Sequence, residues 1–595
     1  MIRAATRRGL CWLVALLVGL LLAPAPAAAQ STRAYGDITI QVIEPADAET
    51  QHGYMAHQFI VTNRSTTEAH TVRLTLPMDS IRSAGISRIS RTAQVAPGAT
   101  VAMDLLQPPL AVYGNSVEVR IDGNQEDDPL ELPRASAPHG QSLSDRTRRS
   151  YRSDDSYVLV SESLTRKDIT RGASSRVEEV PWALAVERWP NTWLAYSRFD
   201  AVAVTAEEID RMRPSTRDAL IRYAECGGSL MVVGAWTPPE AWADTGHTTP
   251  PSAGDQPPMA FYNAMLGYAI ITTPEAAGSG LGSRFFDNVR NTQRRLADMQ
   301  SPQQAHRDFP ILERLRLPLR TLVVTLLLFC VLIGPVNLLL LRKWNRRIWM
   351  WWTVPAMSLV MCGIVFGTSV IVEGFGARVR TSTFTILDQR THRATSIGWI
   401  ALYSPRTPSG GLHFSYDTEV MPHLRSDSWR DDSGGSRVVD WTNDQHFASG
   451  WIQARTPACF EVRKSDTRRE RLEVTWGNNG KATVVNGLGA DIEWLHLVDP
   501  EGGYYRTESI PAGARVELTR TAGRQPSITQ RLDLTGILAS DMPLPYTIDR
   551  IGDMPRQFLR PGTYVADLAT DPFVDTPIDK AKPVKSRAVV FGILE

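Results

Sequence analysis

At 595 residues the chain is too long for a single hydrophobic core, so several domains are expected. A formal net charge of +1 gives no electrostatic reason for a nucleic-acid partner. Hydrophobic residues at 43% and charged residues at 21% suit folded domains with a little membrane-type sequence, and exclude a polytopic transporter.

The chain begins with Arg3, Arg7 and Arg8, an apolar run over 10–22, and an Ala-Pro-Ala-Pro-Ala-Ala-Ala ending at Ala29. A positive start, a short apolar centre and small residues at the end are the marks of a secretory signal peptide over 1–29. The mature chain is therefore expected to begin outside the cytoplasm.

From Tyr35 the pattern alternates. Asp37-Ile-Thr-Ile-Gln-Val-Ile43, His57-Gln-Phe-Ile-Val-Thr62, His70-Thr-Val-Arg-Leu-Thr-Leu76, Thr100-Val-Ala-Met-Asp-Leu105 and Ser116-Val-Glu-Val-Arg-Ile121 read as strands separated by turn residues. They predict an immunoglobulin-like β-sandwich over 31–123. A polar stretch over 124–154 reads as a solvated linker. Its Glu126, Asp127 and Asp128 lack the fixed spacing of a calcium loop.

The rhythm then changes to strand and helix in alternation. Tyr157-Val-Leu-Val160 and Phe199-Asp-Ala-Val-Ala-Val204 are strands, 206–212 and Pro214–Glu225 helices, and Ser229-Leu-Met-Val-Val-Gly234 a buried strand. Cys226-Gly-Gly228 ends the second helix, because glycine accepts the left-handed conformation at a C-cap. This alternation predicts an α/β domain with parallel strands over 155–310.

Two apolar runs follow, over 319–341 and 348–372, and both have the length of roughly 20 residues that a membrane-crossing helix needs. The turn between them, 342–347, holds Arg342, Lys343, Arg346 and Arg347, which the positive-inside rule places in the cytoplasm. With the secretory leader, this predicts an inner (cytoplasmic) membrane protein with both large soluble portions on the periplasmic side. Gly334-Pro335 should bend the first helix. Asn337 is its strongly polar residue at depth, placed for an intramembrane contact with the second helix or with a partner.

Past 378 the pattern is almost wholly β. Thr381-Ser-Thr-Phe-Thr-Ile-Leu387, Ser396-Ile-Gly-Trp-Ile-Ala-Leu402, Arg471-Leu-Glu-Val-Thr-Trp476, Lys481-Ala-Thr-Val-Val-Asn486 and Asp491-Ile-Glu-Trp-Leu-His-Leu-Val498 predict a β-sandwich region over 378–595. Trp429, Trp441 and Trp451 serve equally as core residues or as a glycan-binding surface.

Two stretches carry a resemblance. Phe199-Asp-Ala-Val with Tyr223-Ala-Glu-Cys-Gly-Gly-Ser-Leu-Met-Val-Val-Gly234 resembles the flavodoxin-like class I glutamine-amidotransferase-like domain. Ile333-Gly-Pro-Val-Asn-Leu-Leu-Leu-Leu-Arg342 with Trp349-Met-Trp-Trp-Thr-Val-Pro355 is similar to the membrane hairpin of uncharacterised bacterial membrane proteins that export such a domain. They in turn are similar to auxiliary components of bacterial ABC exporters. The resemblance spans 155–372 and, more loosely, the C-terminal region, and it implies envelope or transporter proteins as partners beside the lipid bilayer.

Catalysis in that class needs a cysteine on a Gly-x-Cys-x-Gly elbow and a His-x-Glu pair. Neither occurs: Cys226 stands before a strand, and no histidine is followed two positions later by glutamate. Asp432-Ser-Gly-Gly435 resembles a serine-protease nucleophile segment, but Asp431 replaces the preceding glycine. Gly278-Ser-Gly-Leu-Gly-Ser283 lacks the lysine of a phosphate loop. Cys226 and Cys459 are the cysteines outside apolar runs, too few for a cysteine metal site, and no histidine pair has ligand spacing. The expectation is therefore a non-enzymatic, cofactor-free, metal-free envelope protein that binds a partner or ligand, with a degenerate amidotransferase-like domain. The alternatives are an exported hydrolase or amidotransferase-like enzyme with an unrecognised site, or a cell-wall carbohydrate-binding protein.

Overall fold

The computed structural model describes residues 31–43, 45–46, 50, 52–78, 85–109, 116–132, 156–165, 169, 177–245, 259–274, 285, 289, 300–312, 319–344, 347–373, 376–424, 436–477, 480–521 and 542–595. The leader expected over 1–29, the loops 278–283 and 431–435, most of the linker and Trp429 lie outside them.

The N-terminal strands are β1 (Thr32–Tyr35), β2 (Ile38–Ile43), β3 (Met55–Asn63), β4 (His70–Pro77), β5 (Ile86–Val95), β6 (Thr100–Gln107) and β7 (Ser116–Ile121). Side chains of a strand alternate between faces, and β3 turns Met55, His57, Phe59 and Val61 inward in that rhythm. Part of the expected linker folds back, with β8 (Asn124–Gln125) and β9 (Leu130–Glu131) both pairing with β7.

The next body has β10 (Ser156–Ser161), β11 (Val177–Trp182), β12 (Ala201–Thr205), α1 (Ala206–Arg211), α2 (Pro214–Glu225), β13 (Ser229–Val233), α3 (Glu240–Thr245), β14 (Met259–Ala264) and β15 (Gly267–Thr272). Its sheet runs β11-β10-β12-β13-β15-β14, parallel except for β14. Every residue of β13 is buried, as a parallel strand covered on both faces requires. A capping box starts α1, with Thr205 and Glu208 satisfying each other's backbone amides. After α2, Gly227 takes φ = 104°, which an L side chain would resist, and returns the chain to β13.

Then come α4 (Pro302–Asp308), α5 (Leu319–Val331), a π turn over Leu332–Val336, α6 (Asn337–Lys343) and α7 (Met350–Glu373). The π turn holds Gly334-Pro335, where proline removes a backbone donor and the ladder widens by one residue. Among the described residues, one helical stretch, Leu326–Lys343, is long and apolar enough to cross a membrane, and Met350–Ile364 is a shorter apolar stretch.

The remaining strands are β16 (Arg378–Asp388), β17 (Arg393–Tyr403), β18 (Leu412–Phe414), β19 (Glu419–Pro422), β20 (Arg437–Asp440), β21 (Gln445–Ser449), β22 (Ala458–Thr467), β23 (Arg471–Trp476), β24 (Lys481–Gly487), β25 (Ile492–Val498), β26 (Tyr504–Ile510) and β27 (Arg515–Thr519). After α8 (Leu544–Asp553) come β28 (Thr563–Leu568), β29 (Lys582–Pro583) and β30 (Arg587–Ile593). A large mixed sheet runs β19-β22-β17-β16-β30-β28-β25-β26, and a small sheet runs β23-β24-β27. Leu472, Val484 and Leu518 of the small sheet share a core with Leu497, Tyr505, Tyr564 and Val590 of the large one.

The two sides of the apolar helices are interlocked. β20 pairs in parallel with β5, so β18, β21 and β20 extend the sheet of β5, β4, β7 and β8. The N-terminal sandwich is therefore completed by strands from beyond residue 378, whereas the sequence suggested a contiguous unit. β5 was not among the expected strands because its polar residues blur the alternation; only Ile86, Ile89, Ser90 and Val95 are buried. One continuous apolar cluster joins Phe59 of β3, Val202 of β12 and Phe460 of β22.

Candidate functional site

Among the described residues, a polar contact joins the helix pair. Asn337 is buried on α6, and its Nδ2 donates to Thr353 Oγ1 of α7 at 3.0 Å. Around it Leu338, Leu339, Trp351 and Trp352 are exposed from the protein.

The strand order of the parallel sheet reverses between β10 and β12, and ligands of open α/β sheets bind beyond the carboxyl ends of strands at such a point. Here that place holds Glu208. Ser161 Oγ donates to Glu208 Oε2 at 2.6 Å and the Thr205 amide donates to the same oxygen at 2.9 Å. Burial opposes its charge, but the hydrogen bonds from Ser161, Thr205 and Ser163 prevail and hold the carboxyl below its usual range. Cys226 sits at the opposite end of the sheet. It is buried at 1% exposure, and burial pushes its thiol well above the ordinary range.

Beside Cys226 a buried ionic network joins the α/β body to the large sheet. Arg393 Nη1 lies 3.1 Å from Glu225 Oε2, and its Nη2 lies 2.7 Å from Asp218 Oδ1. Ser465 Oγ also donates to Glu225, at 3.2 Å. Arg463 donates to Cys226 O at 3.3 Å and lies 2.7 Å from Glu419. The sandwich is tied in as well: His52 Nε2 is 3.0 Å from Asp200 Oδ1, and Tyr54 Oη donates to Val420 O at 3.0 Å.

A cleft of about 380 Å³ opens on the large sheet. Phe309, Arg380, Ser382, Trp494, Asp567 and Arg587 line it, with Asp549 from α8. Arg380 Nη1 donates to Pro310 O at 2.6 Å, with its guanidinium 4.3 Å from the Phe309 ring centre, so the segment leading into α5 is fastened to the cleft wall. Arg587 reaches Asp567, Asp549 and Asp553 at 3.0, 3.0 and 3.1 Å. A Cβ on Gly552 would stand 2.4 Å from Arg587 Nη2, so that glycine lets the guanidinium lie against α8. Burial pushes the Asp567 carboxyl up to about 6, with Arg587 opposing the shift. Ser382 Oγ is buried without a hydrogen-bond partner among the described residues. The lining is mainly polar and carries charges of both signs, with the Phe309 and Trp494 rings as its apolar part.

No cleft residue was singled out from the sequence, because the lining comes from segments between 309 and 587 with no local motif. Trp441 and Trp451 are core residues: Trp441 Nε1 donates to Leu106 O at 2.9 Å and Trp451 stacks on Phe447 at 4.3 Å. Neither offers a face to a glycan.

No family model matches the chain, and no curated protein matches it. Among solved structures, the yeast delta-COP-I mu-homology domain complexed with Dsl1 WxWxV peptide is 8% identical, covering 36% of this chain and 95% of its own, with a TM-score of 0.17. The same yeast domain without peptide is 10% identical over the same shares, with a TM-score of 0.16.

Proposed function

We propose that this chain is a non-enzymatic envelope protein, anchored by a two-helix hairpin in the inner membrane, whose periplasmic body binds a partner or ligand. In this reading it is an accessory subunit of a transport or envelope-assembly complex. The observation that carries it is the pairing of β20 with β5. Strands on either side of the apolar helices belong to one sheet, so both soluble portions must lie on one side of any membrane the helices enter. An even number of crossings satisfies that condition, and a hairpin is the smallest. The basic turn then faces the cytoplasm.

The strand order β11-β10-β12-β13-β15 matches the flavodoxin-like order, which supports the amidotransferase-like assignment of the α/β body. Its degeneracy is supported by Cys226, buried at the end of the sheet away from the crevice, and by Glu208, whose hydrogen bonds occupy the crevice.

Topology is tested by single cysteines introduced at Thr66, Trp344 and Glu508 and labelled with a membrane-impermeant maleimide. Positions 66 and 508 should label from the periplasmic side and 344 only after permeabilisation. Labelling of 66 and 508 from opposite sides would overturn the hairpin. The accessory role predicts specific envelope or transporter proteins co-purifying with the detergent-solubilised chain, and their absence after gentle extraction would refute it.

A further inference from the structure

The strand register fixes which end of the large sheet the cleft occupies. β16 begins at Arg378, just past the end of α7 at Glu373, and Ser382 of β16 stands opposite Arg587 of the parallel strand β30. Asp567 of β28 stands opposite Val589 of β30, and Trp494 of β25 stands opposite Asp567. Every two residues along a strand advance about 7 Å. The lining therefore starts with Arg380 and Lys585 nearest α7, passes Ser382 and Arg587, and reaches Asp567 and Trp494 farther out. Its charge changes sign along that path. The near end has two cations and two hydroxyls. Ser382 Oγ is buried without a hydrogen-bond partner among the described residues, and Ser586 Oγ accepts from the Thr381 amide at 3.2 Å, leaving its proton to donate. At the far end a single guanidinium, Arg587, serves Asp567, Asp549 and Asp553, and Glu493 adds a further carboxylate. Lys582, paired with Arg378, lays its Cε 4.0 Å from where a Cβ on Gly376 would stand, so another cation flanks the approach from α7.

We propose that this cleft binds the headgroup of an ethanolamine phospholipid, with the phosphate at Arg380, Lys585 and Ser382 and the ammonium at Asp567, Asp549 and Glu493. The proposal rests on the hairpin reading, which makes the α7 end of the cleft the membrane end. In such a lipid the phosphate lies between the acyl chains and the ammonium, so cations nearest the membrane and carboxylates beyond them match its order. A primary ammonium donates three hydrogen bonds, which suits an end where carboxylates outnumber their guanidinium. The Trp494 ring adds a face for the same cation. A choline headgroup offers no N–H to these carboxylates, and a glycerol headgroup offers no positive charge.

The test is native mass spectrometry of full-length, delipidated protein in detergent, supplied with phosphatidylethanolamine, phosphatidylcholine or phosphatidylglycerol of one acyl composition. One phosphatidylethanolamine should be retained about tenfold better than the other two. Ser382→Ala should weaken that retention about tenfold while leaving the melting temperature of the lipid-free protein unchanged, because the hydroxyl has no hydrogen bond to lose. Lys585→Gln, at an exposed position, should weaken it about fivefold. Glu493→Gln should narrow the preference for ethanolamine over glycerol. Calorimetric titration with free O-phosphoethanolamine separates the sources: tight binding of it with no lipid retained would overturn the lipid assignment. Equal retention of the three lipids, or retention indifferent to Ser382→Ala and Lys585→Gln in folded protein, would overturn the site. The hairpin fails by maleimide labelling and this proposal by lipid retention, so the two failures are distinguishable.

Discussion

Asn337 is an amide among leucines, and its hydrogen bond to Thr353 is a polar tie between the two apolar helices. Replacing it with leucine should cost about 0.6–1.7 kcal/mol of helix–helix stability, the range measured for such bonds in membranes. Thermal unfolding in detergent would register this as a lowered midpoint, and an unchanged midpoint would show the bond to be idle. Asp567 makes a pH-dependent prediction. Its folded pKa is raised from 3.8 to about 6 by burial, so the stability it contributes is complete below the unfolded value and is lost as pH rises through the folded one. Over that window the loss is of order 3 kcal/mol. Comparing wild type with Asp567→Asn at each pH isolates this group, and the difference between them should change mainly between pH 3.8 and about 6. At the residue scale the sequence did expose Asn337, a lone polar side chain in an apolar run. It gave no sign of Asp567, whose environment is assembled by β25, β28, β30 and α8.

At the scale of elements, α2 and β17 are clamped by Arg393 between Glu225 and Asp218. Burial raises the Glu225 carboxyl, and Arg393 offsets it, so removing the guanidinium leaves a buried carboxylate without its main counter-charge. Arg393→Met is predicted to destabilise the protein by about 3 kcal/mol, since breaking one partner of a buried pair costs far more than the pair contributes. Denaturant titration measures it. Cys226 lies at the same junction and makes the opposite prediction: its thiol should stay unreactive toward maleimides until the protein unfolds, because it is buried and holds its proton. Rapid labelling of the native protein would reopen the thiol-enzyme reading. The ends of α2 and β13 were legible because Pro214, Cys226-Gly-Gly228 and an unbroken apolar strand are local signals. The clamp was not, since Arg393 is 168 residues from Glu225.

At the scale of the molecule, the pairing of β5 with β20 makes the two soluble portions interdependent. Residues 31–132 expressed alone should aggregate, because they would expose an unpaired edge of β5 and the apolar face that Phe414, Val439 and Phe447 help to cover. Co-expression with 376–595 should restore solubility. A soluble, folded 31–132 fragment would show that the sandwich closes without its borrowed strands. The hydrogen bonds of Tyr54 to Val420 and Gln445 set a second link between the same portions.

The sequence by itself determined what local pattern can carry: alternating strands, capped helices, two apolar runs, a proline-bent helix and the absence of a cysteine elbow. Tertiary structure decided which strands share a sheet, where Cys226 and Glu208 stand relative to the crevice, and which charges meet in the cleft. It also decided that Ser382, Arg587, Asp567 and Trp494 stand together at one end of the large sheet. The physical reason is that periodicity and caps act over a few residues, whereas strand pairing across the apolar helices joins positions as far apart as Ile89 and Val439.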